Sequence, residues 1–256
     1  MPPTLVMIHG AFAGGWSFAS LRGFFEARGY RCLVPDLRHH GLQRQPNIHP
    51  ALGTTSMRDY LEDLIDVIDT LEEPPVVIGH SLGGLLAQML AARRRLKAGI
   101  LLAPSAPWGV LASSLLEFMG ANSLFLNGAP WETALLPVYQ IAAEYTFDRL
   151  PMDVRHEVFS KLGPEAGRAT FEVLHWPLDP HRSTFVFPRD VKCPLLTLVG
   201  TRDRVNPPET VRRIAKRYRG RSDYLTLDGM SHWLLTEPGW DDMAMLMADW
   251  LEGLER

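Results

Sequence analysis

Residues 76–91 read Val-Val-Ile-Gly-His-Ser-Leu-Gly-Gly-Leu-Leu-Ala-Gln-Met-Leu-Ala. A short apolar run precedes Gly79, and a run with apolar residues at helical spacing follows Gly84. A serine at the tip of a tight strand-to-helix turn needs a strained backbone and small neighbours two positions away on each side. Gly79 and Gly83 meet that need, so the pattern predicts a nucleophile elbow with Ser81 as the nucleophile.

Outside this stretch, short runs rich in Val, Ile and Leu alternate with longer segments of helical period. Such alternation is typical of a parallel sheet covered by helices on both faces. The sequence therefore predicts the α/β class, with a mostly parallel sheet of about six strands. The runs interpreted as strands are 4–8, 30–34, 76–78, 99–102, 195–199 and 224–227.

Two helices are indicated by their period and their ends. Apolar residues recur at helical spacing from Met57 to Leu71, and Ser56 followed by Asp59 is typical of a helix N-terminal cap. The same spacing extends from Met243 to Leu254, which predicts a last helix that packs on the core.

The stretch from about residue 105 to about residue 188 breaks the alternation of strands and helices. It contains no convincing strand, yet aromatic and aliphatic residues stay dense, so we interpret it as an inserted helical cap. Helices are predicted over 108–119 and 137–147. The predicted division is a core of residues 1–104 and 189–256 with a cap of residues 105–188.

The composition of the 256-residue chain disfavours several classes of partner. Its 26 basic and 29 acidic residues give a net charge of −3, which provides no positive surface for a nucleic-acid backbone or an anionic membrane. Two cysteines form no disulfide framework, and no Cys/His spacing is typical of a metal site. The first apolar run is too short for a signal peptide or a membrane span, so we expect a cytoplasmic protein with a small-molecule substrate. The sequence leaves a homodimer open.

A serine hydroxyl needs a general base to become a good nucleophile, and histidine suits that role near neutral pH. Of the nine histidines, only His232 lies just after a predicted strand of the main sheet and downstream of an acid that itself follows a strand, Asp203. Loops at the carboxyl ends of parallel strands gather at one edge of the sheet, where Ser81 also lies. We therefore predict a catalytic triad of Ser81, Asp203 and His232, with Asp36 and Asp228 as weaker alternatives for the acid.

The backbone N–H of Leu82, at the start of the helix after Ser81, is a candidate donor to the oxyanion of a tetrahedral intermediate. Aromatic residues are candidates for the substrate pocket, although most tryptophans in a chain of this size belong to the core. The residues selected for the pocket are Phe12, Trp108, Trp176 and Trp233.

Four motifs resemble those of the α/β-hydrolase superfamily, and the resemblance covers nearly the whole chain outside the predicted cap. They are residues 9–16 (His-Gly-Ala-Phe-Ala-Gly-Gly-Trp), 36–41 (Asp-Leu-Arg-His-His-Gly), 79–84, and the pair 200–205 and 228–233 after the last two strands. The order Ser81, Asp203, His232 is the order of that family. The resemblance implies that the Ala11 N–H is the other oxyanion-hole donor and that the protein is a serine esterase-like member with a helical cap.

The resemblance implies a serine hydrolase that cleaves a carboxylic ester of a small, largely apolar substrate through an acyl-enzyme, with no metal and no organic cofactor. Haloalkane dehalogenases and epoxide hydrolases carry a carboxylate where Ser81 stands, which disfavours both. The His-Gly-Ala opening and Gly15-Trp16 look like the plant methylesterase and hydroxynitrile lyase group. In the lyases a lysine lies beside the catalytic histidine, whereas Trp233 follows His232 here.

Several alternatives use the same triad and stay open. They are a lactonase, for example on acyl-homoserine lactones, a hydrolase of carbon–carbon bonds, and a perhydrolase. A receptor-like member that binds a ligand with little turnover is a further alternative.

Overall fold

A six-stranded parallel sheet lies at the centre of the computed structural model, which describes residues 2–41, 48–113 and 131–254. The strands of the chain are β1 (Leu5–Ile8), β2 (Cys32–Leu33), β3 (Val76–His80), β4 (Ala98–Leu102), β5 (Ala134–Leu135), β6 (Glu165–Ala166), β7 (Leu195–Gly200) and β8 (Ser222–Leu227). The order in the main sheet is β2-β1-β3-β4-β7-β8, with every neighbouring pair parallel. All six predicted strands are confirmed, and so is the α/β class.

Helices cover both faces of the sheet, as strands buried on both sides require. The helix α1 (Ala19–Glu26) and the last helix (Trp240–Gly253) lie on one face, and α2 (Met57–Asp69), α3 (Leu82–Ala91) and the helix Pro208–Arg217 lie on the other. The side chains of β1 alternate between the two apolar cores, since Leu5 and Met7 belong to one and Val6 and Ile8 to the other. None of the described helices is both long and apolar enough to cross a bilayer.

Helix α2 begins at the predicted cap. The Asp59 N–H donates to the Ser56 hydroxyl at 3.2 Å, and the Asp59 carboxylate accepts the Ser56 N–H at 2.8 Å. This reciprocal pair satisfies two amides at the start of the helix that have no partner within it. The predicted last helix is also confirmed, with its start at Trp240.

The described part of the segment 105–188 is rich in short helices. Two of them are Met152–Ser160 and Gly167–Leu174. The helix predicted over 137–147 forms as a short α-helix, Tyr139–Ile141, that continues as a π-helix, Ala142–Thr146. Short 3₁₀ helices cover Trp176–Leu178 within the segment and Pro188–Asp190 at its end, and a third, Gly15–Phe18, precedes α1.

Of two further predictions for this segment, one is wrong and the other falls partly outside the described residues. The prediction that the segment contains no strand is wrong, because β5 and β6 pair antiparallel over two residues each. Strands that short contain no alternation for a sequence pattern to detect. Residues 108–113 form no helix, and the rest of the helix predicted over 108–119 lies outside the described residues. The interpretation of 105–188 as a cap domain stays a prediction.

Candidate active site

The turn from β3 to α3 holds Ser81 in a strained backbone conformation, with φ 53° and ψ −115°. A Cβ atom added at Gly79 would lie 2.1 Å from the Gly83 carbonyl oxygen, and one added at Gly83 would lie 2.1 Å from the Ile8 carbonyl oxygen. Neither contact is sterically allowed, so the turn closes only with glycine at both positions. The Ser81 N–H donates to the Leu102 carbonyl at 2.9 Å, which attaches the turn to β4.

Loops after β7 and β8 bring an acid and a histidine to Ser81. The His232 Nε2 lies 3.0 Å from the Ser81 Oγ, and the His232 Nδ1 lies 2.9 Å from the Asp203 Oδ2. Because a carboxylate only accepts, Nδ1 carries the proton in this arrangement and Nε2 is free to accept the serine hydroxyl. All three residues are buried, with 9% of Ser81, 3% of His232 and 4% of Asp203 exposed. The structure thus brings the three predicted triad residues together.

The Asp203 carboxylate is fixed by its own loop. Its Oδ1 accepts the N–H groups of Val205 and Asn206, both at 2.8 Å. The alternative acids are engaged elsewhere, since Asp36 accepts the Gly15 N–H at 2.7 Å and Asp228 accepts the Thr201 hydroxyl at 3.4 Å. Only Asp203 of these three acids bonds the His232 ring among the described residues.

Two further residues orient the histidine loop, and sequence reasoning missed both. The His80 Nε2 donates to the His232 carbonyl oxygen at 2.9 Å. The buried Glu237 accepts the Ser231 N–H at 2.9 Å and the Ser231 hydroxyl at 3.0 Å. Burial lowers the pKa of His80 to about 3, so this ring is neutral near pH 7. The sequence signals are a histidine inside the glycine turn and a carboxylate within an apolar stretch after His232.

The two predicted oxyanion-hole residues lie on either side of the elbow. Leu82 is the first residue of α3, where the helix dipole favours negative charge. The loop that holds Ala11 packs closely on the elbow, because a Cβ atom at Gly10 would lie 3.1 Å from the Ser81 Cβ. Within residues 2–41, 48–113 and 131–254, neither the Ala11 N–H nor the Leu82 N–H has a hydrogen-bond acceptor. Their role as oxyanion-hole donors stays a prediction.

The four aromatic residues predicted to line the pocket fall into separate groups. Trp108 and Trp176 contact each other edge to face, with ring centroids 5.0 Å apart. Trp233 is 3% exposed and packs in an apolar cluster with Phe147. Phe12 is bonded through its backbone to the segment around residue 165. Their role as pocket residues stays a prediction.

The described residues offer neither a metal-binding cluster nor an activated thiol. Within the described ranges, no group of three or more His, Cys, Asp or Glu side chains is placed to hold a metal ion. Both cysteines are free, and burial raises the pKa of each thiol, Cys32 and Cys193, to about 11. Neither thiol is therefore an activated nucleophile.

A family assignment follows from comparison with known proteins. A model described as "Alpha/beta hydrolase family" matches residues 5–244, which include the elbow, Asp203 and His232. The chain belongs to the alpha/beta hydrolase family.

Relatives of this alpha/beta hydrolase differ in how much of the chain they match. The magnesium-chelatase 30 kDa subunit of Rhodobacter capsulatus is 28% identical over 269 residues, 98% of this chain and 87% of that protein. The pyrethroid hydrolase of Sphingobium wenxiniae is 33% identical over 87 residues, 34% of this chain and only 30% of that protein. The solved structure of a monoacylglycerol lipase from Paleococcus ferrophilus has a TM-score of 0.72 at 22% identity, with 99% of this chain and 96% of that chain covered. That last likeness shows a shared fold alone.

The lack of space at Gly83 predicts that one added methyl group strongly lowers the free energy of unfolding. Gly83→Ala should destabilise this alpha/beta hydrolase by several kcal/mol, roughly 3 or more, because the new Cβ meets backbone atoms of β1 that cannot move aside. The matched control is Gly23→Ala, also in a helix but with open space around it, which should stabilise by roughly 0.5–1 kcal/mol. Urea unfolding followed by circular dichroism measures both. Similar stabilities for the two variants would contradict the steric account.

The neutral buried His80 predicts a loss of stability in acid. Its folded pKa of about 3 lies below the ordinary value of 6.5, so the unfolded chain binds a proton between these values and the folded chain does not. Stability therefore falls as the pH falls from 6.5 towards 3. His80→Gln keeps a donor for the His232 carbonyl but removes this titration, so the loss between pH 7 and pH 5 should be on the order of 2 kcal/mol smaller in the variant. Equal losses in urea unfolding would show that His80 does not contribute.

Proposed function

We propose that the protein is a serine hydrolase that cleaves a carboxylic ester of a small, largely apolar substrate through an acyl-enzyme. One observation carries the proposal, the hydrogen-bonded series from the Ser81 Oγ to the His232 Nε2 at 3.0 Å and from the His232 Nδ1 to the Asp203 Oδ2 at 2.9 Å. A nucleophile in contact with a base, and a base oriented by a buried carboxylate, is the arrangement that acyl transfer needs.

In the first half of the reaction, the Ser81 Oγ attacks the ester carbonyl while its proton passes to the His232 Nε2. The carbonyl oxygen becomes negatively charged and accepts hydrogen bonds from the N–H groups of Ala11 and Leu82. Asp203 stabilises the imidazolium through the proton on Nδ1. The tetrahedral intermediate collapses when His232 gives its Nε2 proton to the leaving alcohol oxygen, and the acyl group stays on Ser81.

In the second half, a water molecule takes the place of the alcohol. His232 accepts a proton from this water as its oxygen attacks the acyl carbonyl, and the same two N–H groups stabilise the second oxyanion. His232 then returns the proton to the Ser81 Oγ as the acyl bond breaks. The products are a carboxylic acid and the free serine, so no cofactor is needed for the balance of the reaction.

A neutral, apolar substrate is favoured by the chemistry around the site. The segment 105–188 is rich in aromatic side chains, such as Trp108, Trp176 and Phe147. Arg204 directly follows the triad acid Asp203 in the sequence. Its guanidinium bonds the carboxylate of Glu144 at 3.3 Å and lies 4.6 Å from the Tyr145 ring centroid. Because that charge is already paired, it offers little attraction to an anionic substrate.

A second candidate function comes from the relative that matches 98% of the chain, which is named as a subunit of a magnesium chelatase. For this chain, such a function would mean that the site binds a ligand with little turnover, as in the receptor-like alternative. The two classes differ in kinetics. A hydrolase turns over p-nitrophenyl acetate continuously, whereas a binding protein gives a burst of about one product per chain and then stops.

The contact between Ser81 and His232 predicts that the two residues act in one step. Ser81→Ala and His232→Ala should each lower kcat for p-nitrophenyl butyrate by on the order of 10⁴-fold with unchanged circular dichroism. The double variant should be scarcely slower than either single variant. Additive losses, or a loss below tenfold for Ser81→Ala, would count against the shared step.

The choice of acid is tested by amide substitution. Asp203→Asn is nearly isosteric but can hold the His232 ring in the wrong tautomer, so kcat should fall by on the order of 10²-fold or more. Asp228→Asn is the matched control, because Asp228 follows the neighbouring strand and bonds Thr201 instead, and it should change kcat less than about threefold. A larger loss for Asp228→Asn than for Asp203→Asn would reverse the assignment.

The apolar substrate class is tested with two p-nitrophenyl esters that share a leaving group and with one anilide. We expect kcat/KM for p-nitrophenyl butyrate to exceed that for the p-nitrophenyl half-ester of succinate, since an apolar pocket would not compensate the desolvation of the second carboxylate. A butyryl anilide should be slower still, because His232 must protonate a poor amine leaving group. A clear preference for the half-ester or the anilide would overturn the neutral-ester assignment.

A further inference from the structure

The carboxylate of Glu165 is fully buried at the point where β6 meets the loop that holds Ala11. Its Oε2 accepts the Phe12 N–H at 3.1 Å and lies 3.2 Å from the His40 Nε2. Its Oε1 accepts the Tyr60 hydroxyl at 2.8 Å and the Ala166 N–H at 2.7 Å. One side chain from the segment 105–188 thus joins three elements, which are the loop of residues 9–16 with the proposed donor Ala11 (the oxyanion loop), the 36–41 turn and helix α2.

Phe12 needs such support because its backbone is strained. Its φ is +63°, a left-handed conformation that a bulky residue rarely adopts. Both of its backbone polar groups are bonded by the same short stretch of chain, since the N–H donates to Glu165 and the carbonyl accepts the Gly163 N–H at 2.8 Å. The peptides on both sides of Phe12 are therefore held by residues 163–165, the Ala11–Phe12 peptide by Glu165 and the Phe12–Ala13 peptide by Gly163.

The charge of the buried carboxylate is compensated by His40. The His40 Nδ1 lies 3.0 Å from the Arg38 carbonyl oxygen and its Nε2 lies 3.2 Å from Glu165, so both ring nitrogens face acceptors and both carry protons. Burial opposes charge on both groups, but their attraction raises the pKa of His40 and lowers the pKa of Glu165 from their ordinary values. The pair is therefore an ion pair without net charge, which leaves the neighbouring loop able to bind an oxyanion.

We propose that Glu165 is a positioning residue for the oxyanion hole, which holds the Ala11–Phe12 loop in the strained conformation that directs the Ala11 N–H to the reacting oxygen. This inference rests on the proposed hydrolase function. It adds a requirement that the triad does not include, because acyl transfer then depends on a side chain of the segment 105–188 that never touches the substrate.

The chain contains a matched control for Glu165. Glu172 is also a buried carboxylate from the segment 105–188. It accepts the backbone N–H of Met57, outside that segment, at 2.8 Å and pairs with Arg168 at 2.9 Å. Its amide partner lies at the start of α2 rather than in the oxyanion loop. Glu165→Gln and Glu172→Gln should therefore both reduce stability, and only the first should reduce the rate of acyl transfer.

The first measurement uses p-nitrophenyl butyrate and two ketones. A trifluoromethyl alkyl ketone is attacked by the serine and places a negative oxygen in the oxyanion hole, whereas the corresponding methyl ketone binds without that charge. We expect Glu165→Gln to lower kcat by on the order of tenfold to a hundredfold with little change in KM, since a glutamine cannot accept both the Phe12 and the Ala166 amides. The inhibition constant of the trifluoromethyl ketone should rise by a similar factor, and that of the methyl ketone by less than about threefold.

The second measurement follows the loop itself and does not depend on activity. Amide hydrogen exchange at Phe12 should be faster in Glu165→Gln than in the wild-type protein and unchanged in Glu172→Gln. If Glu165→Gln does not fold, Glu165→Asp serves instead, because it keeps the charge beside His40 but does not reach the Phe12 amide.

The outcomes are distinguishable. Unchanged Phe12 exchange, an unchanged kcat, or equal weakening of both ketones in the Glu165 variants would overturn the positioning role. If Glu172→Gln lowered kcat as much as Glu165→Gln, the loss would reflect general destabilisation, and the positioning role would be overturned as well. If the wild-type protein showed no hydrolysis that depends on Ser81, the proposed function and the catalytic role of Glu165 would both fail, while the exchange measurement would still decide whether Glu165 anchors the loop.

Discussion

The close approach of the β3–α3 turn to β1 is the constraint on which the site depends. Gly79 and Gly83 permit contacts that no other residue allows, and the turn they close forces Ser81 into a positive φ. The same turn leaves the Leu82 N–H at the free start of α3. One steric condition therefore fixes both the position of the nucleophile and one of the donors proposed for the oxyanion.

The other components reach this turn because the sheet is parallel. The loops after β7 and β8 end at the same edge as Ser81, which brings Asp203 and His232 within hydrogen-bond distance of their partners. Buried polar contacts then hold each component, His80 and Glu237 for the histidine loop and Glu165 for the oxyanion loop. Burial makes these contacts strong, and it also makes each of them costly to break.

The sequence predicts the parts of this arrangement that follow from sheet topology, but not the parts that depend on tertiary packing. The main strands are recognisable as short runs rich in Val, Ile and Leu that alternate with helical segments. Ser81, Asp203 and His232 each follow a strand, so their meeting at one edge is predictable from topology. The network around Glu165 is not predictable in this way, because its members, such as His40 and Tyr60, are far apart in sequence and come together only through tertiary packing. The strands β5 and β6 are too short to give a period, and the pocket residues depend on side-chain positions that no spacing encodes.

The activation of Ser81 by the His232–Asp203 pair is the central claim, and reaction with diethyl p-nitrophenyl phosphate followed by mass spectrometry tests it most directly. The reagent needs no knowledge of the natural substrate, because an activated serine displaces p-nitrophenolate from it once and keeps the diethylphosphoryl group. The account predicts one equivalent of p-nitrophenolate per chain, a single modified peptide containing Ser81, and a large loss of rate in His232→Ala. Modification at another residue, or at Ser81 with the same rate in His232→Ala, would contradict it.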